Sequence, residues 1–342
     1  MKRILTIITG LFILSSNSFS QTKEYVCRLD STIHKYIGGV YVKEYYEYNA
    51  DNRIEKTTCY KMENSWKPAY MYQYKYDDKG NNTSIIVFKH EGEDWHLSNK
   101  YEAVYDKDGH TESTMHYNYN RTNEKWNMDM KNVFRYSGGL CVSLDFIDNS
   151  VDGNVKRHTY VYEYDEHENM TSRTMYEDGE NGKDTIYRAE YIYDNNGMKV
   201  EESEYYYNDD KTRRGKSCRI FNYEDDGKLK SRKIARMQKD GTWNFSTQIF
   251  TVRGPKGNIV CEETFSCKDD AHLGTSIHIH DLNVCTDRIV MPRGLIDMGF
   301  LNAYKSITDE LRASKYKLSV IQSLNYEGEI DTETYFYYSR VN

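Results

Sequence analysis

A repeat constrains this chain more than any other feature. Tyr48, Tyr76, Tyr105, Tyr136, Tyr164, Tyr193, Tyr223 and Arg253 stand 28 to 31 residues apart, and all but the last are tyrosine. A fixed period of this length makes each unit one supersecondary element that has to bury its apolar face against its neighbours. Four residues past the anchor comes a glycine in five units, Gly80, Gly109, Gly197, Gly227 and Gly257, and the residues between read DDK, DKD, DNN, EDD and GPK. Such segments suit a type I turn closed by a residue at positive φ, the usual four-residue hairpin connection. Asn52, Gly138-Gly139 and Glu168-Asn169 stand near that place in the other units, and Asn and Gly tolerate the left-handed region.

Twelve residues past the anchor an aromatic returns in six units: Tyr60, Phe88, Tyr117, Tyr176, Tyr205 and Phe265. Ten residues before an anchor stand Trp66, Trp95, Trp126 and Trp243, which are all the tryptophans of the chain. Each unit therefore reads as an ascending strand, a tight turn, a descending strand and a second turn rich in Asn, Gly and acid, such as Glu91-Gly92-Glu93-Asp94. Alternate residues of a strand share a face. Trp66 then joins Tyr70, Tyr72, Tyr74 and Tyr76, Trp95 joins Tyr101 and Tyr105, and Trp126 joins Met130 and Tyr136, while Lys67, Gln73, Lys75, Lys100, Lys131 and Arg135 take the other side. Parity thus expects the tryptophans to stack in register along the tyrosine face with their rings largely out of water.

The resulting fold class is all-β: a long antiparallel meander of about eight tandem hairpin repeats over residues 40–270. Some sixteen strands are too many to stay flat, so a curved open sheet or a solenoid-like form is expected. Residues 21–39 read as an N-terminal cap and 271–342 as a C-terminal cap. In the latter, apolar residues at 296, 300, 303, 304, 307 and 311 predict a short helix within Gly294–Ala313. Leu318 to Asn325, a turn at Tyr326-Glu327-Gly328, and Ile330 to Tyr338 predict a final hairpin.

Met1-Lys2-Arg3, the apolar run Ile4 to Leu14 and Ser18-Phe19-Ser20-Gln21 have the three regions of a secretory signal peptide, with cleavage expected after Ser20. The mature chain is expected to be exported to the periplasm, the cell surface or beyond, with no membrane span, since a helical span needs about 20 apolar residues. Mean hydropathy is −0.86, and 33 residues are tyrosine. Each of those rings brings a hydroxyl that wants water or a partner. A net charge of −7 with acids and bases interleaved argues against nucleic acid and anionic membrane surfaces, which call for a basic patch. Seven cysteines in an exported chain permit disulfides. Cys261 and Cys267, with Cys285 nearby, are the expected pair, with buried free thiols as the alternative.

The segments YKYDDKGN at Tyr74, YEYDEHEN at Tyr162, YIYDNNGM at Tyr191 and FNYEDDGK at Phe221 resemble the tyrosine-aspartate (YD) repeats of Rhs-like proteins. With the upstream tryptophan, they look most like secreted tandem-repeat proteins of the Bacteroidota, a family of unknown function. The resemblance covers roughly Val40 to Cys267 and implies a curved sheet and export, with no catalytic residues. The period is longer than in the usual YD repeat, and the units are too few for a complete shell.

Recognisable chemistry is sparse. His278-Ile279-His280 puts two imidazoles on one strand face, and His272 and Cys285 are near enough in sequence to complete a tetrahedral metal site, but the usual ligand spacings are absent. Asp106-Lys107-Asp108-Gly109 and Asp194-Asn195-Asn196-Gly197 begin like calcium loops, yet the glycine comes two residues early and turn chemistry accounts for the acids. Asp30-Ser31-Thr32 and Asp184-Thr185-Ile186 resemble a short O-glycosylation motif. Nucleophile elbow, P-loop and dinucleotide glycine patterns are missing, and no acid pair is singled out for glycoside hydrolysis. The expectation is therefore a non-catalytic binding or interaction scaffold at the cell envelope or outside the cell, without cofactor, whose partner is a protein or glycan. The alternative is a carbohydrate-binding or glycan-processing module that uses the aromatic row Trp66, Trp95, Trp126 and Trp243. An outer-membrane barrel is the third reading. It is disfavoured by tyrosine hydroxyls along whole strands and by the scarcity of Leu, Ile and Val.

Overall fold

A computed structural model of the chain describes residues 26–36, 40–151, 154–179, 182–208, 212–238, 240–254, 257–285, 289–290, 316–325 and 330–341. The expected signal peptide and the expected helix within Gly294–Ala313 lie outside these. The described elements are all strands. The first six are β1 (Val26–Tyr36), β2 (Val40–Tyr48), β3 (Ile54–Met62), β4 (Trp66–Tyr76), β5 (Asn82–Glu91) and β6 (Asp94–Tyr105). They continue as β7 (Thr111–Asn120), β8 (Lys125–Ser137), β9 (Leu140–Val151), β10 (Asn154–Tyr164), β11 (Met170–Gly179) and β12 (Gly182–Tyr193). Next come β13 (Lys199–Tyr207), β14 (Arg213–Tyr223), β15 (Leu229–Met237), β16 (Trp243–Arg253), β17 (Ile259–Ser266) and β18 (His272–Cys285). The last are β19 (Ile289–Val290), β20 (Tyr316–Asn325) and β21 (Ile330–Val341).

Each strand from β1 to β17 pairs antiparallel with the next, β18 pairs with β20, and β20 with β21. β21 then pairs antiparallel with β1 from Val26↔Val341 to Lys35↔Glu333. The sheet is thereby a closed barrel, not the open or solenoid-like meander expected from the period. Only the two-residue β19 stands aside, parallel to β1 at Cys27 and Arg28. Among the described residues closure pairs every strand of the ring on both sides, whereas an open sheet of this length would have to protect an edge at both ends. The two expected caps are corrected by the same pairings: β1 from the N-terminal segment and β18, β20 and β21 from the C-terminal one are members of the ring. The final hairpin itself is where the sequence put it.

The tight turns follow their chemistry. In unit two Asp77 Oδ1 accepts the Asn81 N–H at 2.8 Å, while Gly80 sits at φ 92° and donates to the Asp77 carbonyl. Asn52 (φ 57°) and Glu168 (φ 64°) take the left-handed position where the unit lacks glycine. Just past every such turn the descending strand carries a bulge: Lys75 pairs with Ser84 but Tyr76 with Asn82, which leaves Thr83 over. A bulge breaks the ladder locally, and the next anchor tyrosine supplies a donor at that place. Tyr48, Tyr76, Tyr105, Tyr136, Tyr164, Tyr193 and Tyr223 donate their hydroxyls to the carbonyls of Leu29, Ile54, Asn82, Thr111, Cys141, Met170 and Lys199 at 2.6 to 3.1 Å.

The tyrosine face is the concave one. A single-layer sheet can bury large side chains only where it curves around them, and Tyr74 is 6% exposed and Tyr46 9%, whereas Tyr45 and Val104, which face the other way, are 41% and 44% exposed. The packed part of the interior lies under β21 and β1 to β6, where Leu29, Tyr46, Ile54, Tyr74, Ile85 and Phe336 form one cluster. Full burial of such a side chain contributes roughly 1.5–3 kcal/mol. Cys261 and Cys267 are free thiols, as are Cys59, Cys141 and Cys218. The expected Cys261–Cys267 pairing is therefore not made.

Candidate functional site

Every tryptophan-bearing strand also carries a bulge between the tryptophan and the tyrosine ladder. In β4, Cys59 pairs with Tyr70 but Tyr60 with Pro68, so Ala69 is the extra residue. Ser98 in β6, Asp129 in β8 and Ser246 in β16 are skipped in the same way. One extra residue reverses the facing of everything beyond it. Trp66 therefore lies opposite Met62, Trp95 opposite His90, Trp126 opposite Tyr119 and Trp243 opposite Met237, all on the outer wall. The even spacing that placed them on the tyrosine face is overturned.

The aromatics twelve residues past the anchors share this wall and this rim. Tyr60 pairs with Pro68, Phe88 with Leu97, Tyr117 with Met128 and Tyr205 with Gly215. The indoles are half-buried and held by neighbours: His90 meets Trp95 edge-on at 4.9 Å between centroids, and Tyr119 meets Trp126 at 5.0 Å. The Lys100 ammonium stands 4.3 Å above the Tyr117 ring and 5.5 Å from that of Trp126. No pair of tryptophans is in ring contact among the described residues; the row is aromatic but not a stack of indoles. In later units Lys183 and Arg213 occupy the tryptophan position, and the Arg213 guanidinium lies on the Tyr205 ring. Trp243 closes this second arc 6.0 Å from Tyr205. Gly215 lies between them, and a Cβ there would come within 2.6 Å of Met237.

Above the rim the outer wall is charged. Lys56 pairs with Glu47 at 2.6 Å, Lys100 with Glu102 at 2.8 Å and Arg135 with Asp145 at 2.6 Å. Arg188 reaches Glu163 at 3.2 Å and Glu190 at 3.1 Å. The hydrogen bond from Arg135 holds the Asp145 carboxyl below its ordinary range.

The histidine candidates do not converge. His278 and His280 lie side by side with ring centroids 6.4 Å apart. Burial lowers both, His280 to about 4. His272 sits at the rim against Phe265, 5.3 Å away, and its Nε2 meets the Thr275 hydroxyl. The side chain of Cys285 lies outside the described residues. Asp106, Asp108 and His110 do offer ligand atoms within 4.8 Å of one another. They belong to a turn whose Asp106 Oδ1 already accepts the N–H groups of Asp108 and His110, with Oδ2 3.0 Å from His110 Nδ1. Asp165 and Asn169 build the same arrangement without histidine, so turn formation explains the geometry. Of the glycosylation-like motifs, Ser31 and Thr32 are buried.

Sequence reasoning missed two interior polar clusters. Glu44, 3% exposed, accepts the Tyr46 hydroxyl at 2.7 Å and the Thr32 hydroxyl at 3.3 Å. His34 touches Thr32 and, across the closing pair β1–β21, Thr334. Farther round, His116 Nδ1 lies 2.7 Å from Asp129 and its ring stacks on Tyr101 at 4.5 Å. Both clusters are products of pairing between distant or bulged strands, for which the repeat offers no signal.

No family model matches the chain, and no curated protein matches it. Among solved structures it is similar to a DUF3836 family protein from Bacteroides vulgatus, at 18% identity over 25% of this chain and 89% of that one, TM-score 0.23. A porin-like protein from Bacteroides uniformis matches at 7% identity over 91% and 98%, TM-score 0.33. The Tc holotoxin pore of Photorhabdus luminescens matches at 10% identity over 85% and 17%, TM-score 0.30. At these scores function has to be read from the chain's own geometry.

Proposed function

We propose that this chain is an exported, non-catalytic binding protein of the cell envelope or the cell exterior, and that its contact surface is the aromatic rim of the outer wall. The observation that carries this reading is the bulge at Ala69, Ser98, Asp129 and Ser246, which turns the tryptophans outward. A rigid closed scaffold with half-buried aromatic side chains on its outside has the make-up of an interaction surface, since aromatic anchors dominate binding energetics. Among the described residues no helix is long and apolar enough to cross a membrane. A lipid-spanning barrel needs an apolar outer band about 25 Å tall, whereas the ion pairs of Lys56, Lys100, Arg135 and Arg188 occupy the corresponding wall. The resemblance to secreted YD-repeat proteins agrees with export.

The test uses residues 21–342, immobilised and exposed to envelope extract. Wild-type protein retains material that the triple variant Trp66→Ala, Trp95→Ala, Trp126→Ala does not, with the secondary-structure spectrum unchanged. Equal retention by both proteins would remove the rim as the contact surface.

A further inference from the structure

We infer that the inner wall across β10, β11 and β12 holds a binding site for a small oxyanion, a carboxylate or phosphate group, built on Arg173 and the tyrosines around it. The site faces the barrel interior and stands apart from the outer rim. Register sets its plan: Tyr162 of β10 pairs with Arg173 of β11, and Arg173 with Ala189 of β12. Tyr160 shares the face of Tyr162, and Tyr187 and Tyr191 flank Ala189 on that same face. Ala189 is fully buried and small enough to leave a gap between the two flanking rings, at the place that faces Arg173. The Arg173 guanidinium stands 5.3 Å from the centre of the Tyr187 ring.

The cluster is rich in donors and short of acceptors. Arg173 Nη2 donates to the Tyr187 hydroxyl at 3.0 Å, whereas Nε is buried with no acceptor. Among the described residues Arg173 reaches no carboxylate, while other cations on this wall do: Lys199 and Arg219 lie 2.7 and 2.8 Å from Glu202, and Arg232 lies 3.0 Å from Glu262. Glu204, the acid that meets the cluster, already accepts the hydroxyls of Tyr187 at 2.9 Å and Ser217 at 2.5 Å. Among the described residues the hydroxyls of Tyr160, Tyr162 and Tyr191 have no hydrogen-bond partner, and burial raises all three phenols, Tyr162 to about 12. They are therefore protonated donors at neutral pH. A buried cation is costly until both its charge and its N–H groups are met. An oxyanion meets both, because carboxylate and phosphate match the planar fork of a guanidinium and accept from phenols as well. Water reaches this wall: Tyr206, whose ring lies 5.5 Å from that of Tyr187, is 45% exposed.

The experiment titrates residues 21–342 with sodium acetate, benzoate, inorganic phosphate and sulfate, each against sodium chloride at equal ionic strength, read by calorimetry and by melting temperature. The expected result is saturable binding of at least one oxyanion that chloride does not reproduce, with a melting temperature that climbs as its concentration rises. Arg173→Met should abolish the binding, yet melt no lower than wild type in chloride, because it removes a buried charge that has no counter-ion. Arg173→Lys keeps the charge but loses the planar fork, and should weaken binding about tenfold. Tyr162→Phe keeps the ring and removes one donor, and should weaken it by about three- to tenfold. Binding confined to the carboxylates, or to phosphate and sulfate, supports the site and names its anion. The triple tryptophan variant should bind the oxyanion as the wild type does, so a failure here is distinct from a failure of the outer rim. If no oxyanion binds beyond chloride, or if Arg173→Met binds as tightly as the wild type, the site is overturned.

Discussion

At the anchor position the sequence uses tyrosine where phenylalanine would fill the same space, and the hydroxyl is the reason. It reaches the carbonyl left beside the bulge of the preceding hairpin, as Tyr105 does to Asn82 at 2.8 Å. Burial resists ionisation, and the Tyr76 phenol is pushed up to about 12. Tyr105→Phe should cost about 1 to 3 kcal/mol, the net value of the bond plus the orphaned carbonyl, seen as a lower urea midpoint at unchanged slope; no shift in midpoint would mean water already serves that carbonyl. Arg253 is the anchor that breaks the rule. Its Nη1 donates within its own turn, to the Gly257 carbonyl at 3.2 Å, rather than to the neighbouring hairpin. By analogy with Tyr223 and Lys199, Arg253→Tyr should reach the Leu229 carbonyl and stabilise by about 1 kcal/mol. A thermal melt shows the sign.

At the scale of the hairpin, what could be read and what could not separate cleanly. Turn positions, strand extents and the tyrosine face follow from local chemistry, because D-x-x-G and alternation leave marks in every unit. The facing of the tryptophans does not, because the bulged residues Ala69, Ser98, Asp129 and Ser246 share neither size nor charge and so leave no signature. An even spacing with one bulge behaves as an odd one. This has a testable consequence in β6. Deleting Ser98 should remove the bulge and keep Val87–Asn99 and Phe88–Leu97 paired, with Trp95 still outward and the protein folded. Deleting Glu102 removes one residue from a stretch that pairs without a register shift on both sides and forces Tyr101 or Ala103 off the inner face, at a further cost of roughly 1.5–3 kcal/mol per large buried side chain lost. Melting temperature and acrylamide quenching of Trp95 distinguish the two. Equal damage from both deletions would refute the bulge as the device that sets the tryptophan face.

For the molecule as a whole, closure was the illegible step, since β1 and β21 carry no anchor tyrosine and meet only through a contact of maximal sequence separation. The seam they form is also where acid should act. His34 of β1 is 5% exposed and joins Thr334 of β21 and Thr32. The groups facing it are Glu44 and Tyr46 of β2, with the Cys59 thiol of β3 bonded to the same carboxylate. Burial lowers His34 despite Glu44 nearby, and lowers His116, His278 and His280 as well, the last to about 4. A histidine whose folded pKa lies below its unfolded value of about 6.5 binds fewer protons folded than unfolded across the interval between them, so stability is full above about 6.5 and falls as pH drops toward the folded value. The barrel should therefore lose melting temperature progressively between about pH 6.5 and about 4, before most carboxylates protonate. His34→Gln preserves hydrogen-bonding capacity at the seam and cannot take up the proton, so its melting temperature should fall less steeply over that interval. If the two slopes coincide, the seam histidine is not a source of the acid sensitivity, and the inner pair on β18 together with His116 has to account for all of it.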